Sequence, residues 1–207
     1  MKVAGRITAG ALAAARDTIR PGATPLQTDA VIRKYIEANG AKPSFLGYGG
    51  FPASACISVN DTVIHGIPDN TPYKEGDIVS VDVGAYIGSY HGDSARTFFC
   101  GNVSEEASRL VRTAKEAFYA GMAKCVPGNR LGDVCAAIAE VVELAGFSVV
   151  KEYVGHGIGQ NLHEDPDVPN YGRAGRGVRL CEGMVLAIEP MINTGSAAVK
   201  VCRMSGP

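Results

Sequence analysis

The stretch Glu75-Gly76-Asp77-Ile78-Val79-Ser80-Val81-Asp82 returns 107 residues later as Glu182-Gly183-Met184-Val185-Leu186-Ala187-Ile188-Glu189. Each copy is a Glu-Gly turn that opens into a β-rich apolar run closed by a carboxylate. The likeness reaches back into the helical regions. Pro21-Gly22 ends an alanine-rich helix expected over about Ala4 to Ile19, and Pro127-Gly128 ends one expected over about Glu105 to Lys124. Second helices follow in both halves, about Leu26 to Glu37 and about Leu131 to Leu144, stopped by Gly40 and Gly146. The Pro-Gly pairs and the stop glycines are each 106 residues apart. His65-Gly66-Ile67 is echoed by His156-Gly157-Ile158 at an offset of 91, so the loops differ in length.

The order is helix, helix, strands, stated twice. Helix pairs followed by strands indicate an α+β fold rather than a doubly wound parallel sheet. Two such units can share one curved antiparallel sheet with the helices on its outer face. Residues 1–207 are expected to form a single domain, with half-repeats of about 1–102 and 103–207.

Composition excludes several function classes. The chain has 207 residues, 46% hydrophobic and 20% charged, with 20 basic and 21 acidic residues for a net charge of −1. Such a balance leaves no broad electrostatic footprint for nucleic acid or an anionic membrane. No run approaches the roughly 20 apolar residues that span a bilayer. The six cysteines form no C-x-x-C pair and read as reduced thiols, which suits the cytoplasm. Lys2 and the apolar stretch Ala9 to Ala15 read as an amphipathic helix rather than a signal peptide, because Arg6 interrupts them.

The polar residues carry the chemistry. Ile78 to Tyr86 reads as a buried strand holding one carboxylate, and Tyr90 to Phe99 as its partner after the turn Ile87-Gly88-Ser89. This hairpin sets Asp82 and Asp93 side by side on one face, where they repel unless a cation neutralises them. Asp82 sits among Ile and Val, and an isolated buried carboxylate costs several kcal/mol. Glu189 ends the matching run Met184 to Pro190, expected to be a buried strand. His156 lies between glycines that let backbone or ligand come close, while His65, His91 and His163 could each be satisfied structural residues. Two Asp, one His and one Glu make a mixed oxygen and nitrogen donor set for Mn, Fe, Co or Zn, and adjacent aspartates favour a pair of ions. No G-x-S-x-G, H-E-x-x-H or G-x-x-x-x-G-K-[ST] motif offers a competing chemistry.

Several segments together resemble the bacterial type I methionine aminopeptidases. They are Tyr48-Gly49-Gly50-Phe51-Pro52-Ala53-Ser54-Ala55-Cys56, Ser58-Val59-Asn60-Asp61, His65-Gly66-Ile67-Pro68 and Asp82-Val83-Gly84. His91-Gly92-Asp93-Ser94-Ala95-Arg96-Thr97, Gly155-His156-Gly157-Ile158-Gly159 and Ala187-Ile188-Glu189-Pro190-Met191 complete the series, which runs from about Ala4 to Thr194. The resemblance implies the pita-bread α+β fold and removal of initiator methionine before a small second residue. It casts Asp82, Asp93, His156 and Glu189 as four of five ligands of two divalent ions, Co, Mn, Fe or Zn. His65, His163 and Glu189 take catalytic roles, and Phe45, Tyr48, Phe51 and Cys56, with the two histidines, line the methionine pocket. Peptide and nascent-protein N-termini are the implied partners of a cytoplasmic monomer, with the ribosome as a candidate contact.

One departure sets a further expectation. The family's fifth ligand is a glutamate well after Glu189, whereas no acidic residue follows Glu189 here and the 107-residue offset from Asp93 reaches Lys200. Weakened metal occupancy, a single retained ion and low peptidase activity are therefore expected. Last strands are expected to be missing, with Val201 to Pro207 outside any strand. A non-catalytic pita-bread module that binds peptide or protein is the alternative function. A relative specific for X-Pro bonds is a third reading, disfavoured by the aromatic groups Tyr48 and Phe51.

Overall fold

The structure is a computed structural model of the chain in which residues 1–202 are described. The elements run α1 (Lys2–Arg16), α2 (Pro25–Ala38), β1 (Lys42–Pro43), β2 (Ala55–Val59), β3 (Ile78–Ile87) and β4 (Tyr90–Phe99). Then come α3 (Glu105–Ala123), α4 (Leu131–Leu144), β5 (Ser148–Val149), β6 (Gly155–Gly157), β7 (Glu164–Val168), β8 (Leu186–Ala187) and β9 (Ile192–Asn193). The chain divides into two compact units. One comprises Met1–Val111, His156–Pro166 and Val185–Ala187; the other comprises Arg112–Gly155, Asp167–Met184 and Ile188–Pro207.

In the first unit β3 is the central strand, flanked by β1 and β2 on one side and β4 on the other, all antiparallel. Its burial alternates. Val79, Val81, Val83 and Ala85 are fully buried and pack with Ile7, Ala11 and Leu12 of α1 and Ile32 and Ile36 of α2. Ser80, Asp82 and Gly84 point to the opposite face, which is how a strand so rich in valine carries an acid. The β3–β4 loop is Gly88-Ser89, with φ of 57° and 67°. Two residues in the left-handed region make the type I′ turn that matches strand twist, and Ile87 pairs with Tyr90 across it.

The helices are fixed locally. Thr24 caps α2 through a reciprocal box: its hydroxyl accepts from the Gln27 amide at 3.3 Å, and its own amide donates to the Gln27 side chain at 3.1 Å. Pro25 holds the first helical position, where its missing N–H costs nothing. Oδ1 of Asp29 accepts from the amides of Ser54 and Ala55 at 2.9 and 2.8 Å, tying α2 to the start of β2. Gly92 lets α1 seat on β4: a Cβ there would lie 2.7 Å from the carbonyl carbon of Ala4.

In the second unit α4 buries Val134, Ile138 and Val142 completely. Asp133 organises its first turn, accepting from the amides of Arg130 and Gly175, both at 2.7 Å. These bonds hold the Asp133 carboxyl below the usual carboxylate range. Strand β5 pairs with β9. Strand β6 lies between β7 and β8; the residues it pairs, His156 with Ala187 and Gly157 with Leu186, all belong to the first unit.

Two expectations are corrected. The first helix ends at Arg16 rather than near Ile19, because a turn begins at Asp17. The buried strand expected over Met184 to Pro190 is a two-residue strand, Leu186–Ala187, with Met184 and Val185 exposed. Among the described residues β8 pairs with one strand, β6, whereas β3 is paired along both edges. Within the span Val201 to Pro207, Val201 and Cys202 are exposed and belong to no element, and the remainder lies outside the described residues. None of the six cysteines forms a disulfide, and no described helix is long and apolar enough to cross a membrane.

Candidate metal and peptide site

Asp93 stands opposite Gly84 in the β3–β4 ladder, and Asp82 stands opposite Ala95. The two carboxylates therefore share one face as diagonal neighbours, since positions two apart on a strand point the same way. Cys56 of β2 pairs with Asp82 from the other side. Gly84 leaves room on this face for Phe45, whose ring would lie 2.6 Å from an added Cβ.

His156 is buried on β6. Its Nδ1 lies 2.8 Å from the Gly157 carbonyl oxygen. A carbonyl only accepts, so Nδ1 carries the proton and Nε2 presents a lone pair. That Nε2 is 3.8 Å from Oδ2 of Asp93, beyond hydrogen-bond length. Asp93, His156 and Glu189 each offer one donor atom, and the three atoms lie within 4.8 Å of one another. Carboxylate oxygens and an imidazole nitrogen brought this close make a donor group that could hold a divalent cation. The backbone-tethered imidazole is the arrangement that metal-binding histidines adopt. Asp82 lies outside the trio.

Two further contacts orient these donors. The carbonyl of Glu189 accepts from Nδ2 of the fully buried Asn170 at 2.7 Å. His91 donates its amide to Gly159 at 2.9 Å and brings Nδ1 within 2.9 Å of the Ser44 hydroxyl, its ring 4.6 Å from that of Tyr86 and tilted by 43°. Burial pushes the His91 pKa down. His91 thus ties the start of β4 to the loop after His156.

The expected pocket residues separate into two groups. Phe45 and Cys56 are buried in a small apolar cluster with Ile158 and Leu162, and Phe51 and Met1 pack against it. Tyr48 is half exposed instead, its hydroxyl 2.7 Å from Nδ1 of His163. The His163 ring lies 5.2 Å from that of Tyr48 and 4.3 Å from that of His156. His65 is exposed on the loop beside β2. Its neighbour Gly66 anchors that loop, accepting from Ile57 at 2.8 Å and donating to the Ser58 hydroxyl at 3.0 Å. A side chain at Gly66 would collide with the Ile57 carbonyl. Asn170, Ile158 and Leu162 were not expected from sequence. The last two flank histidines in a glycine-rich segment, the one signal that bore on them.

The model of metallopeptidase family M24 matches residues 1–204. The chain is 52% identical over 200 residues to the methionine aminopeptidase of Clostridium perfringens, covering 97% of this chain and 80% of that protein. It is 48% identical over 200 residues to methionine aminopeptidase 1 of Bacillus subtilis, covering 97% and 81%. The crystal structure of the Thermotoga maritima methionine aminopeptidase superposes with a TM-score of 0.96 at 46% identity, covering 98% of this chain and 82% of that one. The prolidase of Pyrococcus furiosus superposes at 0.77 with 26% identity, covering 91% and 54%.

Proposed function

Because the chain belongs to metallopeptidase family M24, we propose that it removes the N-terminal methionine of peptides and nascent proteins whose second residue is small. Its fold is the pita-bread α+β fold. The observation that carries the reading is the convergence of Asp93, His156 and Glu189, with identities near 50% to named methionine aminopeptidases. We take residues 1–207 as one catalytic domain that works as a cytoplasmic monomer. Ribosome contact during synthesis belongs to the same reading.

Asp82, Asp93, His156 and Glu189 are the proposed ligands of two divalent ions, or of a single retained one, drawn from Co, Mn, Fe and Zn, a choice set by mixed carboxylate and imidazole donors. When bound, such ions polarise a carbonyl and bring the pKa of water towards neutrality. Glu189 takes the proton of the attacking water and returns it to the leaving amine. His163 hydrogen-bonds the carbonyl oxygen where negative charge develops, and His65 hydrogen-bonds the scissile amide. Phe45, Tyr48, Phe51 and Cys56 offer a flexible thioether side chain apolar area and sulfur–aromatic contacts.

The test is release of free methionine from a Met-Ala-Ser peptide with Mn²⁺ or Co²⁺, alongside elemental analysis. Release that is abolished in Asp93→Ala supports the reading. Peptide binding without turnover in the metal-loaded wild type overturns it.

A further inference from the structure

Tyr48 and His163 are 115 residues apart in sequence and joined by a 2.7 Å contact between the phenol oxygen and Nδ1. The contact differs in kind from the one that fixes His156. There the partner is a carbonyl, and the tautomer is dictated. Here the partner is a hydroxyl, which both donates and accepts. Chemistry decides the direction. A phenol, with a pKa near 10, is a good proton donor, and its oxygen lone pair is drawn into the ring, so it accepts poorly. The imidazole nitrogen lone pair is a strong acceptor. The stronger of the two arrangements therefore runs from the Tyr48 hydroxyl to Nδ1.

We propose that Tyr48 is a positioning residue whose hydroxyl, donating to Nδ1 of His163, keeps the neutral imidazole in the tautomer that carries its proton on Nε2. That is the tautomer His163 needs to donate to a substrate carbonyl oxygen, so the functional half of the inference rests on the aminopeptidase reading. The structural half does not. Tyr48 then has a duty beyond supplying ring surface: its half-exposed ring meets the His163 ring at 5.2 Å, with an interplanar angle of 41°. The His163 ring also meets the ring of His156, at 4.3 Å and an interplanar angle of 58°.

The variant Tyr48→Phe removes the hydroxyl and keeps the ring. The first readout is the nitrogen-15 spectrum of the His163 imidazole in the metal-free full chain, at a pH where the ring is neutral. In the wild type the resonances report a pyridine-like Nδ1 and a protonated Nε2; in Tyr48→Phe they move to a mixture of the two tautomers. This measurement needs no turnover, so it stands or falls separately from the aminopeptidase reading. The second readout is kinetic. In Tyr48→Phe kcat falls about 10-fold, the lower end of what an orienting hydrogen-bond partner supplies, with KM within about 2-fold of wild type. In a His163→Asn background the same substitution costs nothing further, because both act through one ring. A wild-type His163 protonated on Nδ1, or a Tyr48→Phe spectrum identical to wild type, overturns the proposal. A loss confined to KM also overturns it, since that is what a pocket wall alone would produce.

Discussion

Oδ2 of Asp93 stands 3.8 Å from Nε2 of His156, and the other nitrogen of that ring is bound to the Gly157 carbonyl at 2.8 Å. The ring is held from behind while its lone pair faces a carboxylate at a separation suited to sharing an ion. Removing Asp93 should therefore act on metal before it acts on fold. Asp93→Ala is expected to weaken Mn²⁺ binding by more than the roughly 10–100-fold that loss of an outer partner costs. Isothermal titration of the metal-free protein measures this, and an unchanged affinity would exclude Asp93 from the ligand set.

Asn170 is fully buried and holds the backbone of Glu189 through a 2.7 Å hydrogen bond. Asn170→Ala strands a carbonyl and leaves a small void. A loss of about 1–3 kcal/mol is expected, with lower activity through a displaced Glu189. Urea denaturation and peptide turnover provide the two readings.

Gly66 has no room for a methyl group against the Ile57 carbonyl. Gly66→Ala should cost about 1–3 kcal/mol, as overpacking generally does, and shift the adjoining His65. Metal content should be unaffected while kcat falls. A variant with wild-type kcat would remove His65 from the mechanism.

Ile32 is fully buried under β3 in the first unit. Ile32→Ala is expected to lose about 2–5 kcal/mol, the range for large-to-small changes in a packed core. The shift in urea midpoint at constant slope is the measurement.

Asp133 supplies a pH-dependent increment. Hydrogen bonds from Arg130 and Gly175 depress its pKa below the ordinary 3.8. A carboxyl depressed in the folded state stabilises the protein above its unfolded pKa, and that stabilisation is lost as pH falls through the folded value. Asp133→Ala should therefore melt below wild type at neutral pH, and the gap should close under acid conditions below about pH 4. Parallel melting curves at both pH values would refute this.

The β3–β4 hairpin was legible because every local signal agreed. Alternation of valine with polar groups, and Gly88-Ser89 at the turn, fixed both strands to within a residue of the observed Ile78–Ile87 and Tyr90–Phe99. The shared face of Asp82 and Asp93 followed from that register. Glu189 was legible as an acid ending an apolar run, yet the run itself was misread. Met184 and Val185 have strand-like chemistry, but a strand persists only where a neighbour pairs with it. Tertiary partners escaped altogether. Nothing near Asn170 announces that it grips Glu189, and no spacing rule joins Tyr48 to His163. Such contacts exist only after the chain has closed on itself.

The seating of α1 on β4 at Gly92 has an implication for anyone redesigning this protein. One residue ahead of Asp93, the main chain of the first helix rests directly on the strand, so the thickness of a peptide backbone acts as the gauge that sets the height of the acid. Diversification by random mutagenesis can explore the exposed Ala95 and Arg96, but position 92 is closed to it. A transplant of this hairpin into another scaffold would have to carry the helix along as its spacer.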